Sequence, residues 1–381
     1  MELEIKLFMD TSNTKNKRLD SLDALRGADM LMISGGGAFI YYMHNLTNLK
    51  WLNILAYNME HPEWLKPVTF FDFIFPLFLF ISGISLVFSV NSQIRKGASN
   101  KAIYKKAFNR MILLMFLGLI YKNSPVNIFD PAHIRYSSVL GRIGMATFLT
   151  TILYLNYSWQ KRLLWVAGIL LGYYAAMFLI PVPGFGAGNL SMEGNFAGWI
   201  DRTIMPGRLI NGVYDENAMA TFLPSFTITV LGAWAGDILR NSDSSSSQKI
   251  KLMSIIGVSL LAIGLIWGLH FPIMKKMWTS SFILVTSGAS FLAMTLFYWL
   301  VDVKKYTKWA FFFKVIGLNS LAIYLAYRFI DFKYTAHELF SGFYGNFISK
   351  EWVLVLDSFS SVVLVWLFLY FLYKNKLFLK V

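Results

Sequence analysis

A histidine and an aspartate eleven residues apart, His61 and Asp72, carry the clearest chemical signal in this chain. His61 stands in the polar stretch His61-Pro-Glu-Trp64. Asp72 opens the apolar run DFIFPLFLFISG at positions 72–83. An imidazole can exchange a proton near neutral pH. A carboxylate at a helix mouth can orient it. The plain alternative for His61 is a surface residue. For Asp72 it is a helix cap, because Thr69-x-x-Asp72 resembles a capping box and a carboxylate suits a helix N-terminus. The capping and chemical roles are compatible. Trp64, three residues after His61, would share its face if the segment were helical, and a Trp face can cover a sugar ring.

Other polar residues interrupt apolar sequence. Arg142 lies within SVLGRIGMATFLTTILYLNY, residues 138–157. A charge inside a span is costly and turns toward a polar interior. It reads either as a structural ion pair or as a contact to an anionic or carbonyl group of a ligand, and Arg135 can line the same entrance. Asn319 and Ser320 interrupt a later apolar run, where interhelical hydrogen bonding competes with ligand contact. Gly35–Gly37 permits close backbone approach, for helix packing or for a narrow channel. The segment 181–218 is long, Gly-rich and aromatic. Asp201 and Arg202 within it read as a local salt bridge or as substrate contacts.

The elements that must position these residues are membrane helices. Of 381 residues, 56% are hydrophobic and only 15% charged, against about a quarter charged in soluble domains. The expected fold is all-α, a polytopic helix bundle with about ten transmembrane helices, each long enough for a ~30 Å hydrocarbon core. They fall near Ala28–Met43, Asp72–Val90, Ala107–Tyr121, Ser138–Tyr157, Leu163–Ile180, Ala220–Leu239, Ile250–His270, Ser280–Val301, Trp309–Ile330 and Val353–Leu372. Residues 1 to about 20 read as a flexible cytoplasmic tail, and 21–381 as one transmembrane domain. Lysine and arginine divide between alternate loops about 22 to about 10 when the N-terminus is inside. That asymmetry puts both termini in the cytoplasm, and His61 and the 181–218 loop outside.

Exclusions follow from composition. The chain has no cysteine, so disulfides, thiolate-held zinc and thiol catalysis are out. The net charge of +14 is spread between apolar runs rather than gathered on a soluble face, which argues against nucleic acid. Phosphate-binding loops and zinc-protease motifs are absent from the sequence, and no metal cluster stands out.

Read together, these residues resemble the transmembrane acetyltransferases related to heparan-alpha-glucosaminide N-acetyltransferase, in their bacterial branch. The likeness runs along nearly the whole chain: RLDSLDALRG at 18–27, His61-x-x-Trp64, the 72–83 run, IRYSSVLGRIG at 134–144, AGWIDR at 197–202, LGAWAGDIL at 231–239, KMWTSSF at 276–282, VDVKK at 301–305 and GLNS at 317–320. Each motif alone is weak; their order is specific. The resemblance implies an enzyme of the bacterial inner membrane that takes acetyl-CoA from the cytoplasm and acetylates a glucosamine-type amino sugar on the other side. His61 would be the catalytic base and Asp72 its orienting carboxylate. Arg26, Arg142, Asn319 and Ser320 would serve acetyl-CoA, and Trp64, Asp201 and Arg202 the sugar. A homodimer is compatible with it. The chain departs from the animal members at Ile33 and Ser34, where those carry an active-site Asn. Two other readings stand beside this one: a transporter for N-acetylglucosamine or a related sugar, and an O-acetyltransferase of an envelope polysaccharide.

Overall fold

A computed structural model describes residues 19–47, 49–123 and 129–379. The expected N-terminal tail lies outside the described residues up to position 18, and Asp20 already opens the first helix. In chain order the helices are α1 (Asp20–Leu31), α2 (Gly37–Thr47), α3 (Lys50–Tyr57), α4 (Phe71–Arg95), α5 (Asn100–Asn123), α6 (Val139–Asn156), α7 (Trp159–Leu179), α8 (Phe196–Ile204), α9 (Met219–Arg240), α10 (Ser246–Gly268), α11 (Ser280–Phe297), α12 (Thr307–Leu318), α13 (Ser320–Phe329), α14 (Phe332–Tyr344) and α15 (Lys350–Lys374). The described residues form no strand, only two isolated bridges, Arg135 with Gly207 and Val182 with Gly186.

Each of the ten expected spans falls on helix. Among the described residues, seven helices are long and apolar enough to cross a membrane: α4, α6, α7, α9, α10, α11 with its π-helical continuation, and α15. The pair α12–α13, bent by 60° at Asn319, makes an eighth. The remaining two depart from a plain span for visible reasons. The first is split between α1 and α2 by a π-helical turn, Met32–Gly36, in which Gly35 takes φ +110°. The third, α5, carries Lys105, Lys106, Arg110 and Lys122 among its apolar residues.

Helix α9 is the most buried of the apolar spans. It packs on α4 closely enough that a Cβ at Gly83 would collide with the Thr229 carbonyl, and one at Gly232 with the Phe80 carbonyl. Glycine is required at both points, because only bare backbone allows that approach. The main apolar core gathers Leu79, Phe80, Ile84, Phe226, Phe282 and Phe291 from α4, α9 and α11, with Trp278 from the turn before α11. A second core joins α1, α12, α13 and α15 through Met30, Val315, Ile316, Ile323, Val365 and Leu369. A large cavity lies between helices of these two groups.

Candidate active site

The segment before α4 is short and constrained. Pro62 and Pro67 fix its backbone, and Leu65 adopts φ +61°. Residues 61–70 are therefore not helical, and His61 and Trp64 do not share a helix face as their spacing suggested. Trp64 turns to the 181–218 loop instead: its Nε1 donates to the Leu190 carbonyl at 2.9 Å, and its ring meets Tyr214 edge-on at 5.0 Å.

Asp72 is placed for both of the roles read from the sequence. Its Oδ2 accepts from the Thr69 backbone N–H at 3.4 Å, the back-bond of a capping box. The Thr69 hydroxyl, which would complete that box, donates to the Glu60 carbonyl at 2.7 Å. The free side of the carboxylate faces His61, with Oδ1 at 3.0 Å from Nδ1. Asp72 is buried and His61 is half exposed. An acceptor-only carboxylate at that distance assigns the proton to Nδ1 and leaves Nε2 with the lone pair. Phe71 holds the imidazole from the side, edge-on at 4.8 Å.

A third residue completes the group. Lys275 Nζ stands 3.4 Å from Asp72 Oδ1 and 3.4 Å from His61 Nδ1, and its side chain is 8% exposed. With Nδ1 protonated, the ammonium's acceptor is the carboxylate. Burying a carboxylate costs free energy unless it is paired and hydrogen-bonded, and Lys275 and His61 provide both. Lys275 lies in the stretch between α10 and α11. Its delivery depends on a tight turn: the Trp278 N–H donates to the Lys275 carbonyl at 2.9 Å, and Trp278 sits at φ +47°. The hydroxyls of Thr279 and Ser281 fasten that turn by donating to the carbonyls of Pro272 and Phe271. The signal for Lys275 was its place beside KMWTSSF. His61, Asp72 and Lys275 line one small pocket with Glu63, Lys66 and Glu216.

The larger cavity, about 580 Å³, lies alongside. Its α4 wall runs from Phe88 through Ser85, Ser82 and Phe78 to Phe75, a rise of about 20 Å at 1.5 Å per residue. Phe75 is one helical turn from Asp72. Arg26 lines the cavity from α1 and Arg110 from α5. Arg26 donates to Ser85 Oγ at 2.7 Å and lies 3.5 Å from Asp23, while the Nε of Arg110 has no hydrogen-bond partner. Ser320 lines this cavity as well. Asn319, at the α12–α13 break, does not; its side chain donates to the Leu377 carbonyl at 3.0 Å and accepts from the Leu379 N–H at 3.2 Å.

Arg142 lies in neither cavity lining. It is fully buried and donates to the carbonyls of Glu216 at 2.9 Å and Ala218 at 3.1 Å, and to the hydroxyls of Thr221 at 2.7 Å and Ser225 at 3.2 Å. Its guanidinium also lies 4.8 Å from the Trp278 ring centroid. It fastens the start of α9 to α6 and to the turn before α11. Arg135 makes a buried two-pronged pair with Asp215, 2.7 Å for each bond. Burial alone would raise the Asp215 carboxyl, but the Arg135 bonds outweigh it and hold the carboxyl below its usual range. Asp201 and Arg202 serve the same loop. Asp201 Oδ1 accepts from the Ala220 N–H at 3.0 Å, and its Oδ2 is buried without a partner. Burial pushes this carboxyl up to about 7, against the pull of the Ala220 bond. Arg202 donates to the carbonyls of Val213 at 2.7 Å and Glu193 at 2.6 Å.

A family model described as heparan-alpha-glucosaminide N-acetyltransferase, catalytic, matches residues 18–272. The chain belongs to this family. Human heparan-alpha-glucosaminide N-acetyltransferase is 25% identical to it in an alignment covering 96% of this chain and 60% of the human protein. The mouse protein of the same name is 23% identical, over 98% of this chain and 62% of its own length. The chain thus spans about three fifths of the length of these curated relatives. Within this N-acetyltransferase family, the matched region contains His61, Asp72, Arg142, Asp201 and Arg202 and stops just short of Lys275. The protein is therefore a helical, multi-pass membrane member of an acetyltransferase family.

Proposed function

We propose that the protein transfers an acetyl group from cytoplasmic acetyl-CoA to the amino group of a glucosamine-type sugar on the opposite side of the membrane, with His61 as general base. The observation that carries this reading is the arrangement along α4. A cavity long enough for a thin pantetheine arm, with Arg26 and Arg110 in its wall, ends one turn below the carboxylate that orients His61. Guanidinium groups suit the phosphates of CoA. Apolar and aromatic side chains along the remainder suit the arm.

The chemistry uses groups already in place. A sugar ammonium first loses one proton to solvent, and His61 Nε2 then takes a second from the attacking amine nitrogen. The amine nitrogen attacks the acetyl carbonyl carbon, and the C–S bond breaks to release the CoA thiolate. The imidazolium returns its proton to that thiolate. Asp72 holds Nδ1–H and favours the charged ring while it exists. Lys275 keeps Asp72 paired through the cycle. General-base action contributes roughly 10²–10⁴-fold, so bringing the two substrates together supplies much of the remainder. Trp64, Asp201 and Arg202 contribute by shaping the loop beside the His61 pocket. Arg142 fixes the start of α9, Asn319 holds the chain near the cavity, and Ser320 forms part of the cavity wall.

Purified protein in liposomes tests this, with acetyl-CoA on one side and labelled glucosamine on the other. Acetylated sugar with stoichiometric CoA release is expected. Labelled sugar crossing intact without CoA release would instead establish a transporter, and acetylation on a hydroxyl of an amine-blocked acceptor an O-acetyltransferase. His61→Ala is expected to keep acetyl-CoA binding and lose turnover by at least about 10²-fold. Undiminished turnover in that variant removes His61 from the role of base.

A further inference from the structure

The cavity along α4 and the pocket around His61 share no lining residue. The two approach each other at a single helical turn of α4. Asp72 faces the His61 pocket, and Phe75, about 4.5 Å farther along the axis, faces the cavity. Phe75 is partly buried, with one side against the core and one toward open space. Its ring meets Trp278 edge-on, centroids 5.3 Å apart and planes at 88°.

Trp278 cannot yield. It is fully buried, its Nε1 donates to the Glu216 carbonyl at 3.0 Å, and Phe282 packs edge-on at 5.7 Å. The guanidinium of Arg142 lies 4.8 Å from its centroid. Its backbone is pinned in the left-handed region by the turn that delivers Lys275. A fixed ring and a ring bordering empty volume thus stand side by side between the two compartments. Only Phe75 has space to turn into.

We propose that Phe75 is the partition between the cavity and the His61 pocket, and that its ring, backed by Trp278, limits the length of the acyl group that reaches His61. This rests on the donor reading above. An acetyl thioester presents one methyl group to the ring. Each added methylene must fit in the space the Phe75 ring occupies. With no donor in the cavity, the same ring separates the two compartments.

Transfer from acetyl-, propionyl- and butyryl-CoA to glucosamine, compared among the parent, Phe75→Ala, Phe75→Leu and Phe75→Trp, tests the length limit. The ratio of kcat/KM for butyryl over acetyl is expected to rise about tenfold or more in Phe75→Ala, to rise less in Phe75→Leu, and to fall in Phe75→Trp. A ratio unchanged across folded variants overturns the limit. A second measurement does not need turnover. The chain has no cysteine, and Val68 lines the His61 pocket. In sealed vesicles a Val68→Cys protein is expected to react with a small charged thiol reagent from one membrane face only, and the added Phe75→Ala change is expected to open reaction from the other face. Reaction from both faces with Phe75 present, or from one face without it, overturns the partition. If the parent transfers no acyl group from any CoA ester, the donor reading fails, and the labelling result still decides the partition.

Discussion

Asp72 divides its two oxygens between structure and chemistry: Oδ2 closes the backbone turn at Thr69, and Oδ1 meets His61 and Lys275. Replacing it with Asn keeps the size and the turn acceptor but lets an NH2 face the imidazole. That favours the tautomer with the proton on Nε2, the wrong nitrogen for a base. Asp72→Asn is therefore expected to lower kcat by about 10²–10⁴-fold while acetyl-CoA binding, measured by calorimetry, stays within about twofold. Lys275→Met removes the ammonium and leaves the buried carboxylate with the His61 ring and the Thr69 N–H. A kcat loss of about 10²-fold is expected, with partial recovery in Lys275→Arg. Equal loss in both Lys275 variants, with acetyl-CoA binding gone, would mark a packing role only. His61 and Asp72 were legible because they sit eleven residues apart and a capping pattern announces the second. Lys275 was not, because it reaches them across more than 200 residues through a turn with a left-handed tryptophan. Arg142 was legible as an unusual buried charge. Its acceptors were not, since most are carbonyls and hydroxyls that any sequence carries.

At the scale of elements, the start of α9 is where the polar residues of the 181–218 loop converge. Arg142 binds its carbonyls from α6, and Asp201 of α8 accepts the Ala220 N–H. The helices themselves were readable from apolar runs, because a lipid-facing helix must be apolar along its length. The loop was readable only as ordered and aromatic. Asp201 gives this region a pH dependence. Its carboxyl is raised from the ordinary 3.8 to about 7 by burial, so between those values the folded state binds more protons than the unfolded one. Stability then falls as pH rises through that window and levels off above about 7. Thermal unfolding in detergent is expected to show a higher midpoint at pH 5 than at pH 8. Asp201→Asn, neutral at both, is expected to flatten that difference. An unchanged difference in the variant would assign the pH dependence to other groups.

Across the whole molecule, the cavity runs along α4 from Phe88 to within one turn of Asp72, and the proposed reaction needs the two ends of α4 on opposite sides of a membrane. The charge pattern is the argument for the proposed orientation. Arg95, Lys96, Lys101, Lys105 and Lys106 cluster where α4 passes to α5, whereas the segment between α2 and α4 carries Lys50 and Lys66 with Glu60 and Glu63. Positive loops stay on the cytoplasmic side, so the proposed orientation has His61 outward and both termini inward. The absence of cysteine makes this measurable on a silent background. Lys66→Cys lines the His61 pocket, and Lys96→Cys is exposed just past the end of α4. In intact spheroplasts an impermeant maleimide is expected to label position 66 at once, and position 96 only after the membrane is opened. The reverse pattern would place the base on the same side as the cytoplasmic acetyl-CoA pool. The cavity would then have no reason to run about 20 Å along α4 from the basic loop toward His61, and transfer across the membrane would have to be abandoned in favour of acetylation within one compartment.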